Sequence, residues 1–141
     1  MENRPTFCIV CDDVRMEVGN KPSFMGVYIS ELAVHTPFPV ILPKLAFIVY
    51  IISPIDDLPR NVTVRVNGPP DGQEIGKIQL PPIPAITQFE DGTKYAVQFP
   101  FAMVNVPLGG EGFLEIFVDT EQETSRALKL NVRSYAKQPS S

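Results

Sequence analysis

The sequence predicts an all-β protein, an immunoglobulin-like Greek-key β-sandwich of about eight strands. Three observations carry that prediction. Apolar residues alternate with period two in segment after segment, and no 3.6-residue period is visible. Fifteen of the 141 residues are proline, about twice the usual ~5%. They cluster at 37–43, 54–59, 69–70 and 81–84, where proline interrupts helices and central strands and so marks joints between strands. The run Leu45-Ala46-Phe47-Ile48-Val49-Tyr50-Ile51-Ile52 is apolar on both strand faces, so both faces need cover.

The elements follow in order. Phe7 to Val18 is extended, with Cys8, Val10, Val14, Met16 and Val18 on one face. Asp12-Asp13 interrupts it and predicts a bulge or bend. Gly19 to Pro22 turns the chain into a strand at Ser23–Ser30. Glu31 to His35 has the length of a short edge strand, and Pro37 to Pro43 is a proline-pinned crossing before the strand at 45–52. Arg60 to Asn67 alternates, with Val62, Val64 and Val66 inward. The Gly68 to Gly72 turn leads to a strand at Glu74–Leu80 and a polyproline-like stretch at Pro81–Pro84. Thr93–Phe101 presents Tyr95, Val97, Phe99 and Phe101 on one face. A Gly109–Gly112 corner, a strand at Phe113–Asp119, a polar loop at 120–125 and a strand at Ala127–Tyr135 close the chain. Lys129, Asn131 and Arg133 point outward from the last strand, which suits an edge. The chain reads as a single domain spanning 1–141, with frayed tails at 1–4 and 136–141.

The segment Cys11-Asp12-Asp13-Val14-Arg15-Met16-Glu17-Val18-Gly19-Asn20-Lys21, followed by Ser23 to Tyr28, resembles the opening of a family of small bacterial proteins of unknown function. The Arg60–Val66 strand and the Pro69–Ile75 turn fit the same family. The resemblance covers most of residues 5–135 and implies an immunoglobulin-like sandwich. Its motifs are turns and strands, so it transfers no catalytic or binding residue.

Composition narrows the function. Net charge is −4, and no Lys/Arg cluster stands ready to displace phosphate counterions, which argues against nucleic acid and anionic membrane surfaces. The start of the chain lacks the charged and apolar regions of a signal peptide, and eight apolar residues are too few for a membrane-spanning helix. A cytoplasmic protein is expected.

Chemical motifs are sparse. Cys8-x-x-Cys11 lies in a strand, which separates the two Cα atoms by about 10 Å and points the side chains to opposite faces. Buried thiols rather than a redox or zinc pair follow. His35 is the only histidine, so an enzyme would have to be built on it and the cysteines. Gly109 to Gly112 lacks the Lys-Ser/Thr of a phosphate loop. The acidic residues Asp12, Asp13, Asp56 and Asp57 are the alternative, a Ca²⁺-dependent C2-like module if their loops share one end. Asp71 and Glu90-Asp91 add loop acids, although Asp before Gly is also ordinary turn chemistry.

The expectation is a non-catalytic protein-binding or assembly module with no cofactor. Its interface candidates are Ile48, Tyr50 and Ile52 on the second face of the apolar strand, and Phe113 and Phe117, which point away from Leu114, Ile116 and Val118. Either a second copy covers this surface, giving a homo-oligomer, or Phe38, Ile41 and Leu42 of the crossing do.

Overall fold

The computed structural model describes residues 4–19, 21–54, 56–81 and 94–136. Among the described residues, nine strands form two sheets: β1 (Thr6–Glu17), β2 (Lys21–Tyr28), β3 (Glu31–Val34), β4 (Val40–Pro54), β5 (Thr63–Gly68), β6 (Gln73–Gln79), β7 (Lys94–Leu108), β8 (Gly112–Asp119) and β9 (Thr124–Ser134). One sheet has the order β2-β1-β4-β7 and the other β3-β9-β8-β5-β6. The all-β class and the two-layer arrangement agree with the sequence reading. The tails 1–3 and 137–141, the stretch Pro82–Pro84, the pair Glu90-Asp91 and Thr93 lie outside the described residues.

The core forms because alternation aims one face of each sheet at the other. Val10, Leu45, Phe47, Val49 and Ile51 come from the first sheet, and Val64, Val66, Leu114, Ile116, Val118, Leu130 and Val132 from the second. Phe47 stacks on Phe101 across β4 and β7, with centroids 4.9 Å apart. Emptying a buried aromatic site of this kind costs about 3–5 kcal/mol.

Several expectations need correction. β4 starts at Val40, so the second half of the crossing is itself strand, and Pro43 sits inside it. Proline lacks the N–H a ladder needs. The β4–β7 register skips this position, and Asn105, between the partners of Leu42 and Lys44, turns to φ 54°. The last strand is not an edge. β9 lies between β8 and β3, and β3 runs parallel to it from Glu31↔Asn131 to Val34↔Ser134. The outward charges of β9 serve pairing on the sheet's solvent face instead: Arg126 meets Glu115 at 3.3 Å and Lys129 covers Phe113 at 4.2 Å.

The second face of β4 is covered from within. Ala46 and Ile48 are 2% and 0% exposed, packed with Cys11 and with Ile9, Val14, Phe24 and Tyr50. The crossing is not the lid. Ile41 is 66% exposed, while Phe38 and Leu42 turn into the main core. The reason lies at Asp12. Cys8 and Val10 face the interior, yet Val14 joins the outer cluster, so the alternation of β1 breaks at Asp12-Asp13, as the sequence predicted. Beyond that bend, side chains of the β1–β2 hairpin close over β4.

The corner at Gly109 to Gly112 packs under Pro69 and Pro70, and the Gly109 N–H donates to the Pro69 carbonyl at 3.3 Å.

Arg4, placed by the sequence in a frayed tail, is 2% exposed. Its Nε and Nη2 donate to the Asp57 carbonyl oxygen at 3.2 and 2.8 Å, and its Nη1 pairs with Glu121 at 2.8 Å. Its partners lie far along the chain, so nothing local in the sequence announces them.

Candidate functional site

The β1–β2 hairpin is the part of the surface whose residues are not explained by the fold's own needs. Its bend is built from three residues. Gly26 adopts φ +70°, and a side chain there would overlap the Asp12 carboxylate. Glycine alone takes that conformation without strain. Asp12 accepts a hydrogen bond from the Tyr28 hydroxyl at 2.6 Å. Burial and the Asp12 carboxylate together push the Tyr28 phenol above its ordinary range, so it stays a neutral donor.

Next to the bend, the Lys44 ammonium sits 2.7 Å from Asp13 Oδ1. That hydrogen bond holds the Asp13 carboxyl below its usual value. The pair lines a shallow cleft of about 210 Å³ together with Val14, Met16, Ala46, Pro100 and Ala102. The polar groups here are already paired with each other. They do not converge on a vacant point where a reacting atom could sit.

Apolar side chains are the unusual feature. Met16 is 54% exposed, Val18 96%, Met25 39%, Val27 45% and Ile29 88%. All belong to the hairpin or its two ends. β2 is also the outer strand of its sheet, paired only with β1 among the described residues.

The residues singled out from sequence are scattered. Ile48 is fully buried and cannot present an interface without unfolding. Tyr50 stacks on Phe7 at 4.6 Å on the outer face of the same sheet, and Ile52 is half-buried. Phe113 and Phe117 lie on the opposite sheet, under Lys129 and Arg65 respectively. Arg65 is held there by a two-pronged pair with Asp119 at 2.6 and 3.1 Å. These five residues therefore form no single patch. Sequence reading missed Val18 and Ile29 because both sit at strand ends beside turn residues, where exposure depends on how the chain folds back.

The acidic residues do not converge. Asp13 pairs with Lys44 and its neighbour Asp12 with Tyr28, while Asp57 lies past the end of β4 against Arg4. The stretch of β4 between them, at ~3.3 Å per residue, separates the two pairs by about 30 Å. No group of three or more His, Cys, Asp or Glu suited to a metal ion occurs among the described residues. The C2-like calcium site is thus not assembled from these four aspartates.

Cys8 and Cys11 are buried free thiols on opposite faces of β1, one in the core and one in the outer cluster. Burial pushes Cys8 up to about 12 and raises Cys11 as well, so neither is a thiolate nucleophile near neutral pH. His35 is exposed just past the end of β3 on the other sheet, tilted against Tyr135 at 6.4 Å. No described helix is long and apolar enough to cross a membrane.

A family model matches residues 6–133, which spans all nine strands. The chain belongs to DUF6941, a family of unknown function. No curated protein and no solved structure matches it. Membership in a family of unknown function agrees with that part of the resemblance, and the β1–β2 segment that carried it lies wholly inside the matched range.

Proposed function

We propose that this DUF6941 protein is a non-catalytic protein-binding or assembly module that works through its β1–β2 hairpin. The observation that carries the reading is the concentration of exposed Met16, Val18, Met25, Val27 and Ile29 on one element. Apolar side chains gathered on one surface element mark interaction sites. The polar groups support the same view, because Asp12, Asp13, Asp119 and Glu121 are each engaged in pairs that hold the fold. The reading includes a bacterial, cytoplasmic setting and no cofactor. The net charge of −4 favours a protein over nucleic acid or an anionic membrane as partner. The parallel β3–β9 pair beside the β8-β5-β6 order supports the immunoglobulin-like form of the sandwich.

The test is capture by tagged chain, comparing wild type with a Val27→Ser/Ile29→Ser variant of equal melting temperature. A bound protein, including untagged copies of this chain, that is retained by wild type and lost by the variant supports the reading. Equal capture by both refutes it.

A further inference from the structure

We propose that β2 is the edge through which two copies of this chain pair, antiparallel and about a two-fold axis near Met25, joining two four-stranded sheets into one of eight. The inference rests on the protein-binding reading above and names the partner.

Three observations point to a second copy. The first is the open edge. Among the described residues β2 has β1 as its sole neighbour, which leaves a row of its backbone N–H and C=O groups without a strand partner there. Other edges are blunted. β7 carries Pro100 and Pro107, β3 has four residues, and β6 carries Glu74 and Lys77. After Lys21 and Pro22, β2 has neither a charge nor a proline from Ser23 to Tyr28.

The second observation is the side chains. Met25 and Val27 lie on that edge on either side of Gly26, and Ile29 follows its end, each at least 39% exposed. A strand that docks here must itself be extended and carry alternate apolar residues, to pair its backbone and bury these side chains together. β2 meets that description. An edge complementary to itself gives a two-fold, closed dimer.

The third is charge and space. Lys21 is the only charged residue of β2, at its start. Antiparallel pairing keeps the two lysines about 25 Å apart at ~3.4 Å per residue, whereas parallel pairing sets them side by side. With Met25 opposite Met25, Gly26 of one copy faces Phe24 of the other. A residue without a side chain there leaves room for the ring and for close backbone approach.

The test uses the full chain. Cys8 and Cys11 are buried, so an engineered surface cysteine is the accessible thiol. Under mild oxidation Met25→Cys should form a disulfide-linked dimer, and Val104→Cys, 68% exposed on β7, should not. Light scattering should give a wild-type dimer at high micromolar concentration, and Val27→Lys should abolish it while the variant stays folded, its melting temperature matching that of wild type diluted to monomer. Should Val27→Lys fail to fold, Ile29→Lys at the most exposed position of the patch carries the same expectation. A monomeric wild type, a dimer indifferent to both lysines, or equal cross-linking at positions 25 and 104 overturns the inference. Partner capture that still depends on Val27 and Ile29 would then leave the binding reading standing. Loss of that dependence removes both.

Discussion

The guanidinium of Arg4 and the carboxylate of Glu121 meet at 2.8 Å with side chains only 1% and 15% exposed. The contact joins the segment before β1 to the turn after β8, and so ties one sheet to the other. Asp57, beyond β4, completes it by accepting from Arg4 through its carbonyl and its carboxylate. Removing one partner of a buried pair leaves the other desolvated and uncompensated, at a cost of about 3–5 kcal/mol. Arg4→Ala should therefore lower stability by that order in urea unfolding. Arg4→Met, which restores apolar volume but still strands Glu121, should recover only part of it. A loss below about 1 kcal/mol for Arg4→Ala would place the residue among ordinary surface ion pairs.

The same cluster sets an acid dependence. Burial alone would raise the Glu121 carboxyl, but the Arg60 and Asn61 N–H groups and the Arg4 guanidinium outweigh it and bring it down to about 2. A carboxyl depressed in the folded state contributes stability that is present above its unfolded value and lost as pH falls through the folded one. The contribution should be intact at pH 6 and disappear between about 4.5 and 2. Glu121→Gln should flatten that stretch of the melting-temperature profile while lowering the neutral plateau. A profile that keeps its wild-type slope in the variant would assign the acid sensitivity elsewhere.

Much of the sandwich was legible because it rests on short-range alternation. Val62, Val64 and Val66 read as inward and are buried, as are Leu114, Ile116 and Val118. The break at Asp12-Asp13 was also legible, since a charged pair interrupts an apolar face. What was not legible depends on long-range placement. Ile48 looks like free surface until Ile9, Val14 and Phe24 fold across it. Arg4 looks like tail until residues 57 and 121 arrive. Four aspartates look like a calcium set until β4 holds them at opposite ends. The exposed hairpin was half visible: the sequence made Ser23–Ser30 a strand after a turn, but only the strand order makes β2 an edge.

Gly26 gives a sharp test of the bend. An alanine there would need a left-handed backbone and would collide with the Asp12 carboxylate. Strain of this kind costs about 1–3 kcal/mol, and displacing Asp12 also breaks its bond with Tyr28. Gly26→Ala should lower the melting temperature clearly, and adding Asp12→Ala should recover part of the loss by removing the clash. Two independent, additive losses would show that the glycine and the aspartate do not act as one unit.

The thiols provide the last prediction. Cys8 and Cys11 lie on opposite faces of β1, each buried, with Cys8 pushed up to about 12. A thiol-specific reagent at mildly alkaline pH should modify neither in the folded protein and both after denaturation, because the thiolate is the reactive form and burial suppresses it. Cys8→Ser should cost about 1–3 kcal/mol, since a hydroxyl replaces a nearly apolar group in the core. Cys11→Ser should be felt at the outer cluster, where Cys11 packs with Ala46 and Ile48. Rapid modification of Cys11 in the native state would mean that the hairpin opens away from β4. Its lid role would then be transient, and the cleft beside Asp13 and Lys44 would extend down to Ile48.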